Sequence, residues 1–405
     1  VTLDVWPALP LRIIADFKDT NEGNITGALG HRDRIVGIDL DGFNRSRLKK
    51  CIALMKEPFP VLRFLRLLLA GSEEMTFVIP DAFLNGSAPL LQDIYLRGIQ
   101  SPSLPRLLSS TSNLVRLVLR DMPMTGEGHI SPDVMTTCLS VLTKLQFLAI
   151  TFLEQTLSSY PTDQHPPSSA HIVLPSLDYL WLEGPHEYLE DLLGRVDAPL
   201  LKSGNLRFYD DGPTHNTSQV ARFIHRTKMF KLLGEAKIEF YRECICVSFQ
   251  SSIGPAKFSL VLECYGLPAQ VVITERICAQ WPPLLSRVEL LKLGGSSSSF
   301  EERKWREVIT PWLGLLRPFT AVQTLCLFGT APLSHVAHIL GELGGERSIE
   351  VLPALRTIDL SHCVAATRYY YSDRVETLRL LGPFLAAREE RERPVLVDVD
   401  SKYYK

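Results

Sequence analysis

The sequence is poor in what most chemistries require. No apolar run approaches the 18 or more residues of a membrane-spanning helix. The formal net charge is only −2 over 405 residues, with a pI near 6.6, so no bulk field draws the chain to nucleic acid or to an anionic membrane. The eight cysteines, at 51, 138, 244, 246, 264, 278, 326 and 363, include no C-x-x-C pair. That scatter predicts buried or half-buried free thiols rather than disulfides or zinc, and hence a reducing compartment, cytoplasmic or nuclear. Sequons begin at Asn24, Asn44, Asn85 and Asn216, a number that chance supplies in a chain of this size. The first residue is Val rather than Met and no charged-then-apolar leader follows, so the sequence reads as a fragment.

Catalytic signatures are missing too. There is no phosphate-binding G-x-x-x-x-G-K-[ST], no dinucleotide G-x-G-x-x-G after a strand, no G-x-S-x-G and no H-E-x-x-H. The segment "DLSHC", from Asp359 to Cys363, gathers an acid, a hydroxyl, an imidazole and a thiol, but at the end of a strand these read as turn residues. His335 and His338 fall three apart on a predicted helix without a Glu or Cys at ligand spacing, which predicts locally bonded histidines rather than a metal site. The run "RYYY" (368–371) reads either as an interaction patch or, more plainly, as a packed loop ahead of a final helix. The expectation is a protein with no catalytic residue, no metal and no cofactor.

Leucine is what the chain has in excess, at roughly one residue in six. Its placement is regular. In "FPVLRFLRL" (59–67), Leu62, Leu65 and Leu67 stand as L-x-x-L-x-L, and the spacing returns at Leu91, Ile94, Leu96; Leu114, Leu117, Leu119; Leu145, Leu148, Ile150; and Leu177, Leu180, Leu182. Later copies are Leu285, Val288, Leu290; Val322, Leu325, Leu327; and Leu355, Ile358, Leu360. Weaker ones are Ile35, Ile38, Leu40 and Leu201, Gly204, Leu206. Residues two apart share one face of a strand, and the residue three before them anchors the entering turn. One such strand cannot bury its own apolar side, whereas a stack of copies can. From Leu40 to Leu206 the copies recur at gaps of 27, 29, 23, 31, 32 and 24 residues, enough for a strand and a return segment. The predicted fold is therefore α/β, a leucine-rich-repeat-like solenoid: a curved parallel sheet with return helices and loops.

The chain divides on this reading into an N-terminal cap (1–33), an array (34–372) with an irregular insertion at about 241–280, and a capping helix and strand (373–405). Residues 1–18 read as a short strand with Trp6 and Pro7 at its end, and 24–30 as a short helix. Return helices are predicted at 46–56, at 131–142 with Ser131 as N-cap, at 186–196 and at 218–230. Two stretches, 154–170 and 294–299, read as loops, with a helix following from about Phe300. Four strand-like runs, "AKIEF", "CICVSF", "KFSLVLEC" and "QVVIT", predict a β-hairpin insertion or a few irregular repeats.

Side chains between the inward positions face the concave surface on this reading. They are Phe64 and Arg66; Asp93, Tyr95 and Arg97; Arg116 and Arg120; Tyr179, Trp181 and Glu183; and Ser203, Asn205 and Arg207. Arginine and large aromatics anchor interfaces more than other types. Arg66, Tyr95, Arg97, Arg116, Arg120, Tyr179, Trp181 and Arg207 are thus the candidate partner-binding residues. A plainer reading has the charges keeping the face soluble while the aromatics pack on neighbouring strands.

Taken together, "VWPALPLRIIADF", "GALGHRDRIVGIDL", "FPVLRFLRL", "LPSLDYLWLEGP" and "APLLKSGNLRFYDD" resemble the leucine-rich-repeat-like region of the large fungal F-box protein family, over nearly the whole chain. The resemblance implies a substrate-recognition region of an SCF-type ubiquitin ligase subunit, with a protein substrate on the concave face. A cullin–RING adaptor would be a partner only if an F-box lies upstream. "LPLRIIADF" (9–17) echoes the F-box opening without its acidic residue, and reads as the segment that follows such a module. The competing class is a leucine-rich-repeat scaffold or recognition receptor unrelated to ubiquitination.

Overall fold

The computed structural model describes residues 9–16, 22–70, 77–124, 129–153, 171–209, 217–295, 309–329, 332–343, 345–361 and 370–399. The chain is α/β with mostly parallel strand pairing, and it forms two units: residues 1–204 with 226–228, and residues 205–225 with 229–405.

In the first unit, strands β1 (Leu11–Asp16), β2 (Ile35–Phe43), β3 (Phe64–Leu69), β4 (Asp93–Arg97), β5 (Arg116–Met122), β6 (Phe147–Phe152) and β7 (Tyr179–Pro185) lie side by side in chain order, and every pair is parallel. The leucine spacing is the register. Ile38, Leu65, Ile94, Leu117, Leu148 and Leu180 form one row across the ladder, and Leu40, Leu67, Leu96, Leu119, Ile150 and Leu182 form the next. All twelve are at most 2% exposed. The leading residue of each triplet is placed by a turn. The amides of Leu62, Leu91, Leu114, Leu145 and Leu177 donate to the carbonyls of Phe59, Ala88, Thr111, Leu142 and Leu174 at 3.0–3.3 Å. Each turn swings its leucine into the core just before the strand begins.

Helices α1 (Glu22–Leu29), α2 (Arg45–Leu54), α3 (Leu104–Ser109), α4 (Pro132–Ser140) and α5 (His186–Arg195) return the chain between strands. Helix α2 starts at Asn44, whose side chain accepts from the Arg47 amide, and buries Leu48, Cys51 and Ile52. Helix α4 starts at Ser131, which caps the Val134 amide ahead of Pro132, and buries Met135, Cys138 and Leu139. The Ser131 cap and both apolar faces are as the spacing predicts, while the Asn44 cap comes from the structure. Strand β1 runs from Leu11, just after Pro10, while Trp6 and Pro7, expected at the end of a strand, lie outside the described residues. Proline has no amide hydrogen for a ladder, and pairing begins where Leu11 donates to Arg34 at 2.7 Å.

The second unit contains most of β8 (Ser203–Tyr209), then β9 (Leu233–Phe240), β10 (Cys244–Ser251), β11 (Lys257–Glu263), β12 (Leu290–Gly295), β13 (Thr324–Leu327), β14 (Thr357–Asp359) and β15 (Leu396–Asp398). Their spatial order is β8-β11-β10-β9-β12-β13-β14-β15. Strand β10 is antiparallel to both β9 and β11, whereas β9, β12, β13, β14 and β15 run parallel. A hairpin is therefore inserted, as one of the two sequence readings has it. Its fourth predicted strand is a helix: "QVVIT" lies in α7 (Leu267–Gln280), following α6 (Ser218–Arg226). Pro268 sits in the first turn, and Leu267, Val271, Thr274, Ile277 and Cys278 are buried at helical spacing. Gln270 then plugs the end of the hairpin. Its Nε2 donates to the carbonyls of Tyr241 at 2.7 Å and Cys264 at 2.8 Å.

One repeat copy is out of register with its prediction. Leu290 is half-buried, while Leu291 and Leu293 are fully buried and pair with Ala236 and Ile238 on one side and Leu325 and Leu327 on the other. The turn bond runs from the Val288 amide to Leu285. The triplet is thus Val288, Leu291, Leu293, and "LSRVELLKL" holds two overlapping frames of which packing selects the later. Leu233, Ala236 and Ile238, all buried, form a further copy with alanine in the middle.

The loop at 154–170 and the connector beyond Gly295 lie outside the described residues, as do residues 301–308; α8 (Ile309–Leu316) follows, then α9 (Pro332–Glu342). At the end, α10 (Tyr370–Glu389) precedes β15, which joins β14. Arg388 of α10 is fully buried and donates to the carbonyl of Leu355 at 2.9 Å. Among the described residues no helix is long and apolar enough to cross a membrane.

Candidate functional site

The alternation that buries one face of the first-unit ladder sends the intervening side chains to the other. Register sets them in two rows. One row runs Arg12, Gly37, Phe64, Asp93, Arg116, Phe147, Tyr179, and the other Ile14, Asp39, Arg66, Tyr95, Val118, Ala149, Trp181. Arg97 and Arg120 are register partners two residues further along.

Each aromatic on this face is met by a guanidinium or another ring. Arg12 reaches over the strand beside it to lie 4.8 Å from the centre of Phe64, a path open because Gly37 has no side chain: a Cβ there would stand 3.1 Å from the Arg12 stem. Arg116 lies 4.5 Å from Phe147, which stacks on Tyr179 at 4.3 Å between ring centres with 5° between planes. Arg66 lies 5.4 Å from Tyr95, and Arg120 is 5.8 Å from Tyr95 and 5.4 Å from Trp181. Exposed contacts of this kind contribute about 0.5–1 kcal/mol each. Trp181 is therefore half-buried, with its indole N–H donating to Glu183 at 3.3 Å.

The acids are distributed unevenly among these cations. Arg66 pairs with Asp41 at 3.1 Å and lies 3.8 Å from Asp39. Arg97 donates to Asp121 at 2.9 Å, and that hydrogen bond holds its pKa above the ordinary arginine value. Burial pushes the Asp39 and Asp93 carboxyls above the usual range, against the pull of Arg66 on Asp39 and of Arg116 on Asp93. Arg120 differs: among the described residues it has no ion pair, and its Nε is buried without a hydrogen-bond partner. Its guanidinium lies between the Tyr95 and Trp181 rings, above Val118 and Ala149, the short side chains that separate those rings in the row.

Seven of the eight candidate residues thus share one face: Arg66, Tyr95, Arg97, Arg116, Arg120, Tyr179 and Trp181. Arg207 belongs to the second unit, where Nε and Nη2 both donate to one Glu263 oxygen, at 3.2 and 2.9 Å. Ser203, expected on the surface, is buried. Sequence reasoning passed over Arg12, Asp39, Asp41 and Phe147. Phe147 occupies the same place in "LQFLAI" as Tyr179 does in "LDYLWL", so the repeat itself marks it.

Other clusters are quiet. Among the described residues no group of three or more His, Cys, Asp or Glu side chains is placed to hold a metal. All seven described cysteines are free, five buried and two half-buried, and burial pushes Cys138 up to about 11 and Cys278 to about 12. Asp359 accepts from the Ser361 amide at 2.7 Å in a local turn, while His362 and Cys363 lie outside the described residues, as do Arg368 and Tyr369 of "RYYY". His338 is on α9, as is His335, whose side chain is not described.

No protein-family model and no curated protein sequence matches the chain. The case for function rests on the chain's own residues.

Proposed function

We propose that this chain is a protein-interaction module, a leucine-rich-repeat-like solenoid whose Arg- and aromatic-bearing sheet face holds a protein partner. The observation that carries the reading is the row of guanidinium–ring contacts on β3 to β7. Mutual stacking freezes these long side chains before any partner arrives, so less rotamer entropy is lost on binding. Arginine and tryptophan held in this way are the residue types that dominate binding energy at interfaces. The recurrence of one strand register across seven parallel neighbours supports the solenoid.

The more specific proposal is that the module is the substrate-recognition region of an F-box subunit of an SCF-type ubiquitin ligase, acting by binding and not by catalysis. It rests on the resemblance of the runs quoted above. Residues 11–16 pair as a ladder strand, in keeping with a segment that follows an F-box. The test is affinity capture with the full-length natural protein, in wild-type form and with Arg97, Arg120 and Trp181 all replaced by alanine. A cullin and its adaptor among the wild-type partners would support the ligase assignment, and the triple variant should retain them while losing substrates. Partners lost by the variant without any ligase component would favour a scaffold or receptor. Capture unchanged by the triple variant would reject this face as the binding surface.

A further inference from the structure

Among the described residues of this face, one cation, Arg120, has no carboxylate within ion-pair distance, and its surroundings specify what completes it. Arg66 is paired with Asp41 and Asp39, Arg97 with Asp121, and Arg116 and Arg12 stand beside the carboxylates of Asp93 and Asp39. Arg120 has none of these, and its register neighbour Arg97 has already claimed Asp121. Its Nε is buried with no acceptor, while Tyr95 and Trp181 flank the guanidinium and fix its plane. A guanidinium so held keeps its in-plane N–H groups, which match a planar two-oxygen acceptor.

We infer that Arg120 receives a carboxylate, the Asp or Glu side chain of a partner segment crossing the row from Tyr95 to Trp181. This rests on the proposed protein-binding role and names the chemistry of the partner. A carboxylate fits better than a phosphate on charge. Arg97 and Asp121 cancel, and Glu183 holds the indole N–H of the tryptophan on which Arg120 stacks. One free positive charge beside a fixed negative one suits a singly charged ligand. A phosphate of nearly two charges needs a second cation to offset its larger desolvation cost, and Arg97 is already paired with Asp121.

The test is selection of a displayed library of random twelve-residue peptides on the full chain, with labelled copies of the selected peptides then titrated by fluorescence anisotropy. The expected result is one sequence family with Asp or Glu at a fixed position. Arg120→Gln should weaken its binding about 10- to 100-fold, and Arg120→Lys should recover only part of the loss because it lacks the planar fork. Equal thermal midpoints for the variants exclude misfolding as the cause. A selected family with no acidic position, or one bound equally by Arg120→Gln, would overturn the carboxylate assignment and leave the interaction role standing. Phosphoserine in place of the selected acid, if bound about tenfold more tightly, would overturn the choice of carboxylate. Failure to enrich any family would overturn the interaction role itself, and this inference with it.

Discussion

The two units solve one problem, the outward face of a mostly parallel sheet, with different cations. The first places arginines over rings: Arg12 on Phe64, Arg116 on Phe147, Arg120 between Tyr95 and Trp181. The second uses lysines tied to glutamates, Lys237 to Glu239 at 2.9 Å and Lys292 to Glu235 at 2.5 Å, with Lys237 also 5.0 Å from the centre of Phe328. Tyr241 donates its hydroxyl to Glu239 at 2.8 Å, and Arg207 its Nε and Nη2 to Glu263. A planar guanidinium can stack and still offer its edge, whereas an ammonium bonded to a neighbouring carboxylate has little left for a partner. On the proposed interaction role, the difference favours the face of the first unit as the one that binds a partner.

The comparison can be broken most sharply at the core beneath the second face. If Val288, Leu291 and Leu293 set the register there, Leu291→Ala should cost about 3 kcal/mol in urea unfolding, while Leu290→Ala costs under about 1 kcal/mol. Equal effects would restore the other frame and exchange the inward and outward residues of β12. Next in size, Gln270→Leu should destabilise the second unit by about 2 kcal/mol, because the carbonyls of Tyr241 and Cys264 lose their donor in a buried site. A neutral result would mean that water replaces the amide.

On the first face, a double-mutant cycle between Arg116 and Phe147 should give a coupling of about 0.5–1 kcal/mol that survives added salt better than the exposed Arg207–Glu263 pair. Equal salt sensitivity would dissolve the distinction drawn between the two faces. The smallest effect concerns Asp93. Its folded pKa is raised above the unfolded value, so the folded state binds the extra proton and stability falls as pH rises through that window. Asp93→Asn should therefore raise the melting temperature slightly at neutral pH, with the gain fading below about pH 4. A gain that persisted in acid would point to packing instead of charge.

Much of the first unit was legible because one feature, a leucine triplet, is at once the turn anchor and the two inward strand residues. Arg66, Tyr95, Arg97, Arg116, Arg120, Tyr179 and Trp181 follow from it by alternation alone. The pairing among them did not, since Asp41 meets Arg66 only once the register of two strands 25 residues apart is known. "QVVIT" misled because β-branched residues favour strands locally, and the proline and buried glutamine that override them act through a helix start and a distant hairpin. At "LSRVELLKL" the pattern fits twice, and only the neighbouring strands choose.

The inserted hairpin bears on the order in which the protein takes shape as it is made. Each first-unit strand needs only the strand synthesised just before it, so that sheet can lengthen as the chain emerges from the ribosome. Strands β8 and β9 must instead each hold one side open until β11 and β12 appear about fifty residues later. Contacts so far apart in sequence form slowly, which makes β8 and β9 the edges most in need of a chaperone during synthesis.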